Sequence, residues 1–76
     1  MKAYSEIIKP FRYFRIREEI IFRNKEEKRK ILAKELNLKE EEISEVIVAS
    51  NCIYIETYSE IIRIFPDSII REVKSR

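Results

Sequence analysis

Seventy-six residues without a single glycine leave a chain few ways to turn. Left-handed backbone is normally the work of glycine, which has no Cβ to clash, and asparagine is the usual substitute. The sequence holds three asparagines, Asn24, Asn37 and Asn51, and each stands where the hydrophobic pattern changes. They divide the chain into elements more firmly than propensity does.

Asn24 and Asn37 bracket the clearest helix, residues 25–36. Asn24 is a good N-cap, and Glu27, three residues on, supplies the second half of a capping-box pattern. Glu26 and Glu27 suit the positive end of the helix dipole and Lys34 the negative end. Ile31, Leu32 and Leu36 form a narrow apolar stripe. Asn37 takes the left-handed position past the helix end. Asn51 separates two β-branched runs, so Ser50 and Asn51 read as a tight hairpin turn. Strands follow at 44–50, 52–58 and, after a turn at Ser59, 60–65. The segment 68–74 reads as a short helix rather than a fourth strand, because Ile69, Ile70 and Val73 cluster on a helical face and do not alternate.

Upstream of the helix the pattern is less plain. Residues 1–9 read as an ordered lead-in, since Pro10 pushes the residue before it toward extended geometry. Residues 12–23 fit a strand: Phe14, Ile16, Ile20 and Phe22 fall on one face, and Arg15, Arg17, Glu19 and Arg23 on the other. A helix would scatter Phe11, Tyr13, Ile16, Ile20 and Phe22 around most of its circumference. The expected fold class is α+β, one small domain spanning 1–76: an N-terminal strand, one amphipathic helix, a three-stranded antiparallel meander and a short C-terminal helix. This is an ordinary two-layer solution.

Composition narrows the chemistry. There is no histidine, one cysteine and one aspartate. No internal disulfide can form, and a structural zinc site, which takes about four Cys or His ligands, has no ligand set. Cys52 lies in an apolar run and reads as a small buried hydrophobe in a reducing compartment. The adjacent carboxylates Glu40, Glu41 and Glu42 point in different directions and do not converge. Phosphate-cradling loops need glycine. The expectation is a protein that is not an enzyme, with no catalytic residues, metal, cofactor or small-molecule substrate. No run of eighteen apolar residues suggests a membrane span, and the first residues lack the apolar core of a signal peptide, so a cytoplasmic location is expected. Fifteen isoleucines and a surface dense in Glu, Lys and Arg fit the ion-pair networks that hold at high temperature, which points to a thermophilic archaeon or its virus as source.

One stretch is both basic and aromatic: Lys9 to Arg17, KPFRYFRIR. As a strand it commits Phe14 and Ile16 to the core and turns Tyr13, Arg15 and Arg17 outward. Cations neutralise phosphates and aromatics stack on bases, so Arg12, Tyr13, Arg15 and Arg17, with Lys25, Lys28 and Arg29 on the helix, are the candidate nucleic-acid contacts. Residues 1–38 carry eleven Lys/Arg against six acids, residues 39–76 five against eight, a polarity able to steer a partner. Tyr13, Tyr54 and Tyr58 are the candidate protein-interface residues, tyrosine being enriched at interface cores. The function expected is that of a non-enzymatic accessory protein that binds a partner protein or itself, within DNA- or RNA-processing machinery. The alternative is a stand-alone nucleic-acid-binding domain.

Overall fold

A computed structural model describes residues 3–75. The fold is α+β: two helices lie on one face of a five-stranded antiparallel sheet. Strand β1 (Ala3–Ile7) leads into helix α1 (Pro10–Ile20) and helix α2 (Lys25–Leu36). A single 3-10 turn at Glu40–Glu42 then opens a run of four strands: β2 (Ile43–Val48), β3 (Ile53–Thr57), β4 (Glu60–Ile64) and β5 (Ser68–Val73). The sheet order is β1-β5-β4-β3-β2, so the first two strands in sequence form its opposite edges.

The register sets the two faces. One row crosses the sheet as Val48, Ile53, Ile64, Ile69 and Glu6, and the next as Val46, Ile55, Ile62, Arg71 and Tyr4. The isoleucines and Val46 of these rows lie buried beneath Tyr13, Ile16 and Ile20 of α1 and Leu32, Ala33 and Leu36 of α2. The opposite face carries Ile47, Tyr54, Arg63, Ile70 and Ser5 in one row and Glu45, Glu56, Ile61, Glu72 and Ala3 in the other. No helix covers it.

Helix α2 forms as its caps dictate. The Asn24 side chain accepts from Glu27 N–H at 2.9 Å. Asn37 adopts left-handed backbone, φ 57° and ψ 48°, and is the only residue with positive φ among those described. Asn51 does sit in a two-residue hairpin closed by Ala49 N–H to the Cys52 carbonyl at 2.9 Å, but without left-handed backbone. At the next hairpin a side chain stands in for backbone freedom. The buried Thr57 hydroxyl accepts from the amides of Ser59 (3.2 Å) and Glu60 (2.8 Å) and donates to the Glu60 carbonyl, holding the turn at Tyr58 and Ser59.

Three elements differ from the sequence expectation. Residues 12–23 are not a strand; Pro10 to Ile20 is a helix. Proline occupies its first turn, where the missing N–H is no loss, and only Tyr13, Ile16 and Ile20, spaced three and four apart, must reach the sheet. The expected lead-in becomes β1, paired with β5 from Ala3↔Glu72 to Ile7↔Ser68; its first two residues lie outside the described residues. The segment 68–74 is strand rather than helix. It is hydrogen-bonded on both sides, to β4 and β1, and it can place Ile69 on the helix-covered face and Ile70 on the other because each face of the sheet takes apolar residues. Alternation alone does not reveal a strand of that kind.

The inverted facing of α1 is directly testable. Ile16→Ala is expected to destabilise by about 2–5 kcal/mol, as a buried large-to-small change does. Phe14→Ala, which a strand would make the costlier of the two, is expected to lose less than half as much. Chemical denaturation of the two variants checks the order.

Candidate interaction surface

Helix α1 has two apolar sides. Its inner side presents Tyr13, Ile16 and Ile20, each no more than 2% exposed. Its outer side carries Phe11, Phe14 and Ile21, with Phe22 one residue beyond Ile21. Phe11 is 78% exposed, Phe14 55% and Phe22 95%. Residues 11, 14, 18, 21 and 22 recur at helical spacing, so the three phenylalanines form one stripe interrupted by Glu18. The stripe continues past the helix end because Ile21 keeps helical backbone and bonds to the Arg17 carbonyl at 3.0 Å. Phe14 leans edge-on against Tyr13, ring centroids 5.0 Å apart, which fixes the middle of the stripe to the core. Phe11 and Phe14 are thus turned to solvent on one side of α1, and Phe22 is exposed in the turn that follows it.

The basic side chains beside this stripe are engaged within the molecule. Arg12 pairs with Glu6 (3.3 Å) and Glu35 (3.2 Å); Arg15 reaches the same Glu35 oxygen at 2.8 Å and stands 3.8 Å from Glu19. Arg17 donates to the Tyr13 hydroxyl at 3.1 Å and to the Ala49 carbonyl, tying α1 to the β2–β3 hairpin. On α2, Arg29 pairs with Glu26 at 3.2 Å and donates to the Glu40 carbonyl, and Lys25 lies 3.9 Å from Glu45. Lys28 has no carboxylate within 4 Å among the described residues. Arg12, Arg15 and Arg17 are thus together on one helix, but Lys25, Lys28 and Arg29 belong to another, and Tyr13, expected to face solvent, is buried.

Of the other tyrosines, Tyr54 lies on the open sheet face, half-buried, with the Arg63 guanidinium 5.8 Å above its ring. Tyr58 projects from the β3–β4 turn and is exposed. The three tyrosines do not share a surface. Phe11, Phe14 and Phe22 are the residues that strand reasoning misses. Reading Pro10 as the first residue of a helix exposes them, since 13, 16 and 20 then suffice for the core and 11, 14 and 22 are left over.

On the open sheet face Lys74 Nζ donates to Glu56 at 2.7 Å, and Arg63 pairs with Glu72 at 3.2 Å. The hydrogen bond from Lys74, and next its charge, lower the Glu56 carboxyl from its ordinary value, against a smaller opposing effect of desolvation and with the least contribution from the Tyr54 hydroxyl. Among the described residues no group of three or more Cys, Asp or Glu is placed to hold a metal ion, and no helix is long and apolar enough to cross a membrane. Comparison with protein-family models, with curated proteins and with solved structures gave no match.

The lowered carboxyl of Glu56 fixes the sign of one pH effect. A carboxylate depressed in the folded state adds stability that is fully present above its unfolded value, about 4.3, and is lost as pH falls through the folded value. Lys74→Met is therefore expected to lower the melting temperature slightly at pH 7 and to leave it unchanged near pH 2. Melts across pH 2–7 check this; equal effects at both ends would mean the pair contributes through packing alone.

Proposed function

We propose that this is a non-enzymatic interaction protein that binds a protein surface, another chain or its own copy, through the outer side of α1. The exposed row Phe11, Phe14, Phe22 is the observation that carries the proposal. A helix needs only one apolar side to pack on a sheet; the second has no use within the molecule and a cost in solubility. Aromatics are the residue type that anchors interface cores. A helix presenting apolar anchors on one side is a common recognition element, and here Phe11 and Phe14 stand at i and i+3 with Phe22 at i+11.

The same side chains that make direct nucleic-acid binding attractive in the sequence support it less in place. Arg12 and Arg15 already share Glu35, and Arg17 is turned to Tyr13 and Ala49. Glu6, Glu19 and Glu35 offset much of the charge of Arg12 and Arg15, which leaves little net positive potential to draw a phosphate. A role within DNA- or RNA-processing machinery rests on the positive balance of residues 1–38 alone.

The double variant Phe11→Glu/Phe22→Glu separates these readings. It is expected to keep the melting temperature of the parent or raise it, since both residues face solvent, and to abolish stripe-dependent protein crosslinking from a photoreactive group at position 14. Unchanged crosslinking would defeat the proposal. Binding to single- or double-stranded oligonucleotides that survives the double variant and falls steeply between roughly 50 and 200 mM salt would favour the nucleic-acid alternative instead.

A thermophilic source is part of the same proposal. Two arginines and three glutamates (Arg12, Arg15, Glu6, Glu19, Glu35) form one connected ion-pair network, the arrangement that gains value with temperature. A melting midpoint above about 90 °C, the range of hyperstable domains, is expected; one near 45–65 °C, typical of mesophilic domains, would remove that part.

A further inference from the structure

The outer edge of α1 is complementary to itself. Directly opposite its buried side lie Phe11, Arg15 and Glu18, and Phe22, in the turn that follows Ile20, carries the line on, with spacings of four, three and four. That is the spacing of a helix–helix seam, in which positions three and four apart recur on the line facing a partner helix. The order along the line is aromatic, positive, negative, aromatic. Turned end for end about its midpoint, between Arg15 and Glu18, the line meets itself with aromatic against aromatic and positive against negative.

We infer that two copies of this chain associate through α1 packed antiparallel on α1 of the partner. Phe11 of each copy meets Phe22 of the other, and Arg15 of each meets Glu18 of the other. This rests on the reading of α1 as an interaction surface and names its occupant. A parallel arrangement brings Arg15 against Arg15 and Glu18 against Glu18, so the charges select the antiparallel one. The two-fold axis falls between the pairs, which makes the contact isologous and closed, so it ends at a dimer.

The intramolecular pairs of the two residues differ in a useful way. Glu18 has no cation within 4 Å among the described residues, while Arg15 uses one terminal nitrogen on Glu35 and keeps the other 3.8 Å from Glu19. A guanidinium has five N–H donors, so Arg15 can bridge Glu35 of its own chain and a carboxylate of the second copy. Glu35 thereby sets the guanidinium at the rim of the seam before the partner arrives. Phe14 and Ile21 flank the line on one side and widen the contact.

The size of the surface is adequate for a weak dimer. A phenylalanine offers on the order of 150–250 Å², so the three exposed rings, with Ile21 and the Arg15 and Glu18 stems, give roughly 600 Å² per copy. The pair buries about 1,200 Å², the lower bound for a specific interface. Affinities for contacts of this size are set by their anchors rather than by area, and a dissociation constant of about micromolar is expected.

Sedimentation equilibrium on the full chain, from about 1 µM to 1 mM, measures it. The expected result is a reversible rise to twice the monomer mass of 9.3 kDa, abolished by Phe11→Glu/Phe22→Glu. The charge pairs are tested in trans. Arg15→Glu alone and Glu18→Arg alone are each expected to weaken self-association at least tenfold, and an equimolar mixture to form a heterodimer that restores it, because each chain then supplies the sign the other lacks. Melting curves of both variants establish that they fold, and should Arg15→Glu fail to, Arg15→Gln with Glu18→Gln gives a loss without the new charge at Glu35. Loss in each single variant with recovery to the parent level in the mixture supports the antiparallel pairing, because a parallel pair opposes like charges in the parent and would make the mixture tighter than the parent. A monomer at 1 mM, or a dimer indifferent to both the aromatic and the charge changes, overturns it. If the monomer nevertheless shows photocrosslinking to a different chain that is lost with Phe11→Glu/Phe22→Glu, the interaction surface stands and only the second copy as occupant falls; without such crosslinking both fall.

Discussion

The sheet order places β1 and β2 at opposite edges, and that single constraint arranges most of the molecule. The chain leaving β1 must cross four inter-strand spacings, about 19 Å, before it can begin β2. Helices α1 and α2 make the crossing, and because they do so on one face they close the core there and leave the other face open. Antiparallel sheets tolerate one solvated face. Here it is furnished with cross-strand pairs, Arg63 with Glu72 and Lys74 with Glu56, between partly buried isoleucines and Tyr54. The crossing also explains why α1 needs so little apolar surface. It lies over a sheet already rich in isoleucine, and Tyr13, Ile16 and Ile20 fill the space between.

Without glycine, each change of direction has to be made by other chemistry. Asn37 accepts the left-handed position that ends α2. The Thr57 hydroxyl organises the β3–β4 turn through three hydrogen bonds. Phe65 and Ser68 exchange backbone hydrogen bonds around Pro66 and Asp67, where the fixed φ of proline starts the turn. Replacing a permissive residue by a constrained one narrows the unfolded ensemble, so a chain that turns in this way loses less entropy on folding than one that turns on glycine. The arrangement suits a domain of this size, whose core alone supplies a small margin.

How much of this is legible in the sequence depends on how many elements compete for a segment. Helix α2, its caps and the strands β2 to β4 are read correctly because local signals agree: Asn24 caps, Asn37 terminates, and the residues of β3 alternate between Ile53, Ile55 and Thr57 on one side and Tyr54 and Glu56 on the other. Strand β1 escapes because its pairing with β5 spans more than sixty residues, and β5 because apolar residues on both of its faces hide the alternation. Segment 12–23 is misread for a different reason. The strand template gathers Phe14, Ile16, Ile20 and Phe22 on one face only by assuming that every phenylalanine must be buried. The molecule buries Tyr13 instead, satisfying its hydroxyl with Arg17, and turns Phe11, Phe14 and Phe22 outward. The candidate nucleic-acid residues share that error: Arg15 and Arg17 do not project from an edge strand but close ion pairs and hydrogen bonds between α1 and its neighbours.

The feature that disqualifies a helix on packing grounds is therefore the one on which the proposed interaction surface rests. Scattering five apolar residues around a helix is unfavourable only if the helix has a single neighbour. A helix with two neighbours, the sheet beneath and a second surface above, requires apolar residues on both sides, and in the proposed dimer Arg15 and Glu18, between Phe11 and Phe22, would fix how that second surface lies. Arg15 joins the two demands. Through Glu35 it is held to α2 on the inside, and through its remaining donors it is presented on the outside. An arginine in that position resists replacement by lysine, whose single ammonium lacks the planar fork needed to serve two carboxylates at once.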